Sequence, residues 1–122
     1  MSEKVIQNWA FLIVGIALGM HMGASGDHTL APVHAHINLL GFVLPMIFAF
    51  AYHLFSGMGA SRLATVHFWL HVVGALVLLV MLFMLMAGKI TEAAMVPVAP
   101  IAELLIFVGV ILFFFNAWKN AH

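Results

Sequence analysis

The sequence predicts an all-α membrane protein with four transmembrane helices, and three observations carry that prediction. Hydrophobic residues make up 66% of the 122-residue chain and charged residues only 7%, against about 25% charged in an ordinary soluble domain. The apolar residues fall into four runs, each able to cross a hydrocarbon core of about 30 Å. The segments between the runs are short and hold most of the glycines, prolines and charges that interrupt helices, so residues 1–122 are expected to form one four-helix domain.

The first run, from Val5 to about Met22, spans roughly 27 Å at the helical rise of about 1.5 Å per residue. A cleavable signal peptide is the competing reading, because Lys4 precedes the run and Gly23, Ala24, Ser25 and Gly26 follow it. The run is longer than a signal core, so a retained helix is expected over about 5–22. Gly23 to Leu30 reads as a polar turn carrying Asp27 and His28, and Pro32 suits the first turn of the second helix, over about 31–55. Pro45 lies inside that helix, where it should free a carbonyl near Gly41 and bend the rod. Two glycines in Ser56–Arg62 mark a short connection to the third helix, over about 63–86. Pro97 and Pro100 mark the start of the fourth, over about 98–118.

Lys4, Arg62 and Lys119 fall on one side of this topology and Lys89 on the other, which predicts cytoplasmic N- and C-termini. Trp9, Trp69 and Trp118 would then anchor the cytoplasmic interface. In a bacterium the location would be the inner membrane. Four basic residues balance four acidic ones, so no charge surplus points to nucleic acid. The absence of cysteine excludes disulfides, thiolate metal sites and thioether-linked haem. Abundant instead are eight His and nine Met, residue types that ligate iron or copper.

The stretch Val33-His34-Ala35-His36-Ile37-Asn38 is the least like a generic membrane helix. Imidazoles at membrane depth need hydrogen bonds, a proton path or a metal. Two residues of helix turn by about 200°, so His34 and His36 face opposite sides and cannot share one iron. A histidine facing outward from a four-helix subunit would meet lipid unless another copy covers it, so the pair argues for an oligomer. The bland alternative is that one ring bonds a nearby carbonyl and the other caps the helix near the headgroups. Asn38 is a further polar candidate in the same run. His67 and His71, four residues apart, share a face and can bind a metal or a hydrogen-bond partner. His71 is expected about 18 Å below His36, by helix rise, and the trio with His53 is expected as interfacial polar packing. Met20, His21, Met22 and His28 could hold Cu(I), or be a helix end with gap-filling methionines. Gly15, Gly19, Gly41 and Gly74 could support several subunit packings.

These residues resemble the C-terminal part of the catalytic subunit of the haem-copper oxidase superfamily, nearest its nitric oxide reductase and C-family oxidase branch. The pattern His34-Ala35-His36 with Gly41-Phe42 is similar to that family's tenth helix, which often ends in a pair like Tyr52-His53. His67-Phe68-Trp69-Leu70 with Gly74 resembles its next helix, and Asn116-Ala117-Trp118 the end of its last. The matches run in order over about residues 27–122, while the first helix matches only as a generic span. The resemblance implies that His34 and His36 bind haem iron. It also implies that this chain supplies one arc of a ring of three four-helix arcs, which a homotrimer would rebuild. His36 of one copy and His34 of the next would then hold a haem b between them. The helices that carry the family's copper-ligating histidines have no counterpart here, so oxygen or nitric oxide reduction is not expected.

The leading expectation is therefore a haem-b-binding membrane homo-oligomer, a trimer by preference. It would transfer electrons from a respiratory-chain donor, or sense haem or a gas. The alternatives are a copper-binding protein using the His and Met residues of the outer face, and a cofactor-free accessory subunit.

Overall fold

The computed structural model describes residues 3–122 and the side chains from Val5 onward, so the Lys4 side chain, one of the charges expected on the cytoplasmic side, lies outside the described residues. Four long helices form: α1 (Glu3–Ser25), α2 (Ala31–Leu54), α3 (Arg62–Met86) and α4 (Val98–Asn120). All four are long and apolar enough to cross a membrane. Their bounds fall within a few residues of the expected ones, and the largest difference is that α1 continues through Gly23 to Ser25.

Local chemistry accounts for where the rods begin and end. Ser61 caps α3, its hydroxyl accepting from the Leu63 N–H at 3.2 Å. At the other end Gly88, at φ 72°, adopts the left-handed conformation that lets the Lys89 N–H return to the Met84 carbonyl at 2.8 Å. Gly26 ends α1 in the same way, its N–H on the Met22 carbonyl at 2.9 Å. A single helical turn, Ser56–Gly59, joins α2 to α3. Buried Asn116 of α4 pins that turn by donating to the Met58 carbonyl at 3.1 Å, while its own oxygen accepts from Asn120 at 2.8 Å.

The helices pack in chain order as an open row. The α3–α4 pairing is the most extensive, α2 lies against both α1 and α3, and α1 and α4 share no comparable contact. At one end of the row Val33, Ile37 and Leu79 form an apolar cluster with Phe11, Leu18, Leu30, Leu82 and Met86. The opposite end holds the turn at Met58 and the C-terminus of α4. Arg62 and Lys119 thus share one end and Lys89 occupies the other. No more than 22% of any span's apolar window is buried within the chain, so most of the lateral surface is left for lipid or for other subunits.

The glycines that could support several subunit packings make close approaches inside the chain. A Cβ on Gly15 would meet Asn38, on Gly19 His34, on Gly41 Phe11, and on Gly74 the Ala102 carbonyl and Ile106. They let neighbouring helices of one chain approach closely, which is the usual work of small residues in membrane helices.

Candidate functional site

Directly after His36, α2 widens from α- to π-helix over Ile37–Val43 and returns to α-helix at Leu44. The Leu44 N–H bonds the carbonyl five residues back, that of Leu39. The next donor in that register would be residue 45, facing the Leu40 carbonyl, but residue 45 is proline and has no N–H. The ring of His71 on α3 supplies the missing donor, with Nε2 at 2.7 Å from the Leu40 oxygen. The carbonyl freed by Pro45 is therefore that of Leu40, one residue before the position an α-helical count gives.

His34 and His36 lie in the α-helical part of α2, before the π segment, and diverge as their spacing requires. His34 is half-buried against α1, with Nδ1 at 2.7 Å from the Gly15 carbonyl. His36 is exposed on the outer side of α2, with Nδ1 at 2.7 Å from the Pro32 carbonyl. A carbonyl can only accept, so both rings carry their proton on Nδ1 and keep a lone pair on Nε2. This is the arrangement in which one imidazole nitrogen is held by the protein and the other is left for a metal. Gly19 makes the His34 position possible, because a Cβ there would lie 2.8 Å from the ring's Cε1. Asn38 packs against Gly15, its Oδ1 buried there without a hydrogen-bond donor.

His67 and His71 occupy a different environment from the expected interfacial one. They are 1% and 4% exposed and sit within the row, while His53 is exposed on the wall of a cleft that all three line. The Leu40 bond also brings His71 to a carbonyl only four residues beyond His36, higher along α2 than helix rise suggested. His71 carries its proton on Nε2, the reverse of His34 and His36, and its lone-pair nitrogen is closed off from solvent. The Tyr52 hydroxyl bonds Nδ1 of His67 at 2.6 Å, and the rings of Phe48 and Phe113 flank the same imidazole. Residue spacing gave no hint of the Tyr52–His67 link, which joins two helices; for the His71–Leu40 bond the legible signal was Pro45, which announced a carbonyl in need of a donor.

At the outer turn Met20 and Met22 point to opposite sides, one 70% and the other 5% exposed. His21 and His28 are both exposed. The carboxylate of Asp27 accepts from the Thr29 hydroxyl and, at 3.0 Å, from its N–H. Those bonds, with lesser help from His21 and His28, hold the Asp27 carboxyl below its ordinary range. Among the described residues no three of His, Asp and Glu converge as a metal-binding group.

Compared with known proteins, the chain matches no family model, no curated protein and no solved structure.

Proposed function

We propose that the protein is a haem-b-binding membrane protein in which His34 and His36 ligate iron at separate sites between copies of the chain. The observation that carries this reading is the shared state of the two rings. Each imidazole is held through Nδ1 by a backbone carbonyl at 2.7 Å, each keeps its lone pair on Nε2, and the two leave α2 on opposite sides. The Nε2 of an exposed imidazole on a membrane-spanning rod gains a partner when a ligand or a second copy covers it. The residues present fit a haem. Gly19 leaves room for the His34 ring, the Gly15 and Pro32 carbonyls set the tautomers, and the low burial of the spans leaves apolar surface for a porphyrin face.

A haem b bound by two imidazoles would be low-spin and six-coordinate and would supply one-electron chemistry. The chain's own part is to aim the nitrogens, exclude water from the bound edge and tune the ligands through the two carbonyls. Electron transfer with a respiratory-chain donor, or the sensing of haem or a gas, follows from such a site. The preferred assembly is a homotrimer with His36 of one copy and His34 of the next on each iron. Both termini would lie in the cytoplasm, by the placement of Arg62 and Lys119 against Lys89. In a bacterium this is the inner membrane.

Optical spectra of the purified protein, oxidised and dithionite-reduced, test the proposal together with metal analysis. Iron rather than copper should accompany a low-spin haem spectrum. His34→Ala and His36→Ala should each abolish that spectrum or convert it to a five-coordinate one, whereas His53→Ala and His67→Phe should leave it unchanged. A low-spin spectrum that survives both ligand substitutions overturns the assignment.

A further inference from the structure

Glu103 is an acid inside a membrane-spanning helix, about 7.5 Å along α4 from its first residue by helix rise. Its side chain is exposed and makes no hydrogen bond or ion pair among the described residues. A carboxyl at that depth is costly against lipid and is normally turned to a polar partner or to water. Glu103, Phe107 and Phe114 stand along one side of α4, about 100–140° round from Ala102, which packs on Gly74 of α3. The two phenylalanines are 63% and 56% exposed. At the other end of the row, α1 has an exposed side with the same spacing. His21, Ala17 and Ala10 are all exposed and lie about 200–240° round from Gly15, which meets Asn38 of α2. His21 is about 6 Å short of the last residue of α1, so it stands at nearly the depth of Glu103, near the end where α1 stops and α4 starts. Its ring makes no hydrogen bond, and the acid nearest in sequence, Asp27, is bonded to Thr29.

We propose that α1 of one copy docks antiparallel on α4 of the next, with the His21 imidazole bonded to the Glu103 carboxyl and Phe107 and Phe114 seated over Ala17 and Ala10. Copies in one bilayer keep their heights, so the register follows from depth alone. Four residues inward lead from His21 to Ala17 and from Glu103 to Phe107, and seven more lead to Ala10 and Phe114. The alanines let the two backbones approach and leave hollows for the rings. Lipid tails could cover the phenylalanines but offer nothing to a carboxyl, whereas an imidazole meets it as a charged or a neutral donor. The occupant is a second copy because α1 and α4 of one chain stand at opposite ends of the row and share no comparable contact. Repeated from copy to copy, this heterologous contact closes a ring. The inference rests on the self-association that the haem reading also requires, and on nothing of the haem itself.

The chain has no cysteine, so introduced cysteines report this contact alone. Full-length chains carrying Ala17→Cys or Ala10→Cys under one affinity tag are expressed with chains carrying Phe107→Cys or Phe114→Cys under another, and oxidised in native membranes. A disulfide needs Cα atoms within about 7 Å. Ala17→Cys should therefore link to Phe107→Cys, and Ala10→Cys to Phe114→Cys. Ala10→Cys with Phe107→Cys, about 10 Å out of register by helix rise, should not link. Placed in both chains, His21→Glu or Glu103→His should each lower the yield of the two in-register links several-fold, and the two exchanges together should restore it. No link in register, equal linking out of register, strongest linking between two Phe107→Cys chains, or single exchanges without effect overturns the proposal. Links without a haem spectrum leave this contact standing and remove the haem reading, and a low-spin haem spectrum without links does the reverse.

Discussion

The His34 imidazole occupies space that exists because residue 19 has no side chain. Its Cε1 would be 2.8 Å and its Nδ1 3.3 Å from a Cβ at that position, and the same Nδ1 makes the bond to the Gly15 carbonyl. Gly19→Ala should therefore push the ring off Gly15 and cost about 1–3 kcal/mol, the usual range for forcing an extra carbon into a packed contact. Gly23 lies one turn further along α1 with nothing within 4 Å of its would-be Cβ, so Gly23→Ala should be neutral or stabilise by up to about 1 kcal/mol through helix propensity. Unfolding of the two variants in detergent micelles, with the haem content of each, measures both effects. If Gly19→Ala behaves like Gly23→Ala, α1 does not position His34. The opposite aim of His34 and His36 needed only their spacing in a helix, and so it was legible in the sequence. The half-burial of one and the exposure of the other were not, because they depend on which helix lies on which side of α2.

At the scale of the element, α2 is governed by Pro45. Proline removes a donor and its ring crowds the carbonyl four residues back, and the wider π turn over Ile37–Val43 relieves that crowding. His71 then reaches the Leu40 carbonyl that Pro45 cannot serve. Proline and imidazole are thus coupled through one oxygen, and a double-mutant cycle exposes the coupling. In the Pro45→Ala background residue 45 has an N–H of its own, so His71→Leu should be less damaging there than in the native chain by about 1 kcal/mol. Denaturant unfolding of the four proteins in one micelle system gives that difference; a coupling near zero would mean that some other group satisfies Leu40. Helix existence and bounds were readable because hydrophobic length and turn residues declare themselves locally. A carbonyl of α2 left without its helical donor by Pro45 was readable for the same reason. The exact carbonyl was not, since it depends on a switch from four- to five-residue register, and the partner was not, since it comes from 31 residues away. His67 and His71 were misplaced at the interface because their spacing shows a shared face but not whether that face points inward.

For the whole molecule the decisive feature is that the helices form a row and not a closed bundle. In such a row α1 and α4 each keep an unpaired flank, and a residue as polar as His36 can stand on the surface of α2. A cyclic trimer closes by repeating one heterologous contact around a ring, so a site built at that contact takes different residues from its two neighbours. This makes the proposed inter-subunit haem site testable by complementation. His34→Ala and His36→Ala chains carrying different affinity tags, expressed together, should recover a low-spin haem spectrum that neither gives alone. A pocket is whole again wherever an intact His36 from the first variant meets an intact His34 from the second. With random 1:1 mixing in a ring, about a quarter of the contacts meet that condition, so low-spin haem should return to roughly a quarter of the native level. Purification through both tags in turn should enrich the coloured fraction. Failure to recover any haem in the doubly tagged assemblies would place both ligands of each iron in a single chain, or show that the two histidines serve no common site.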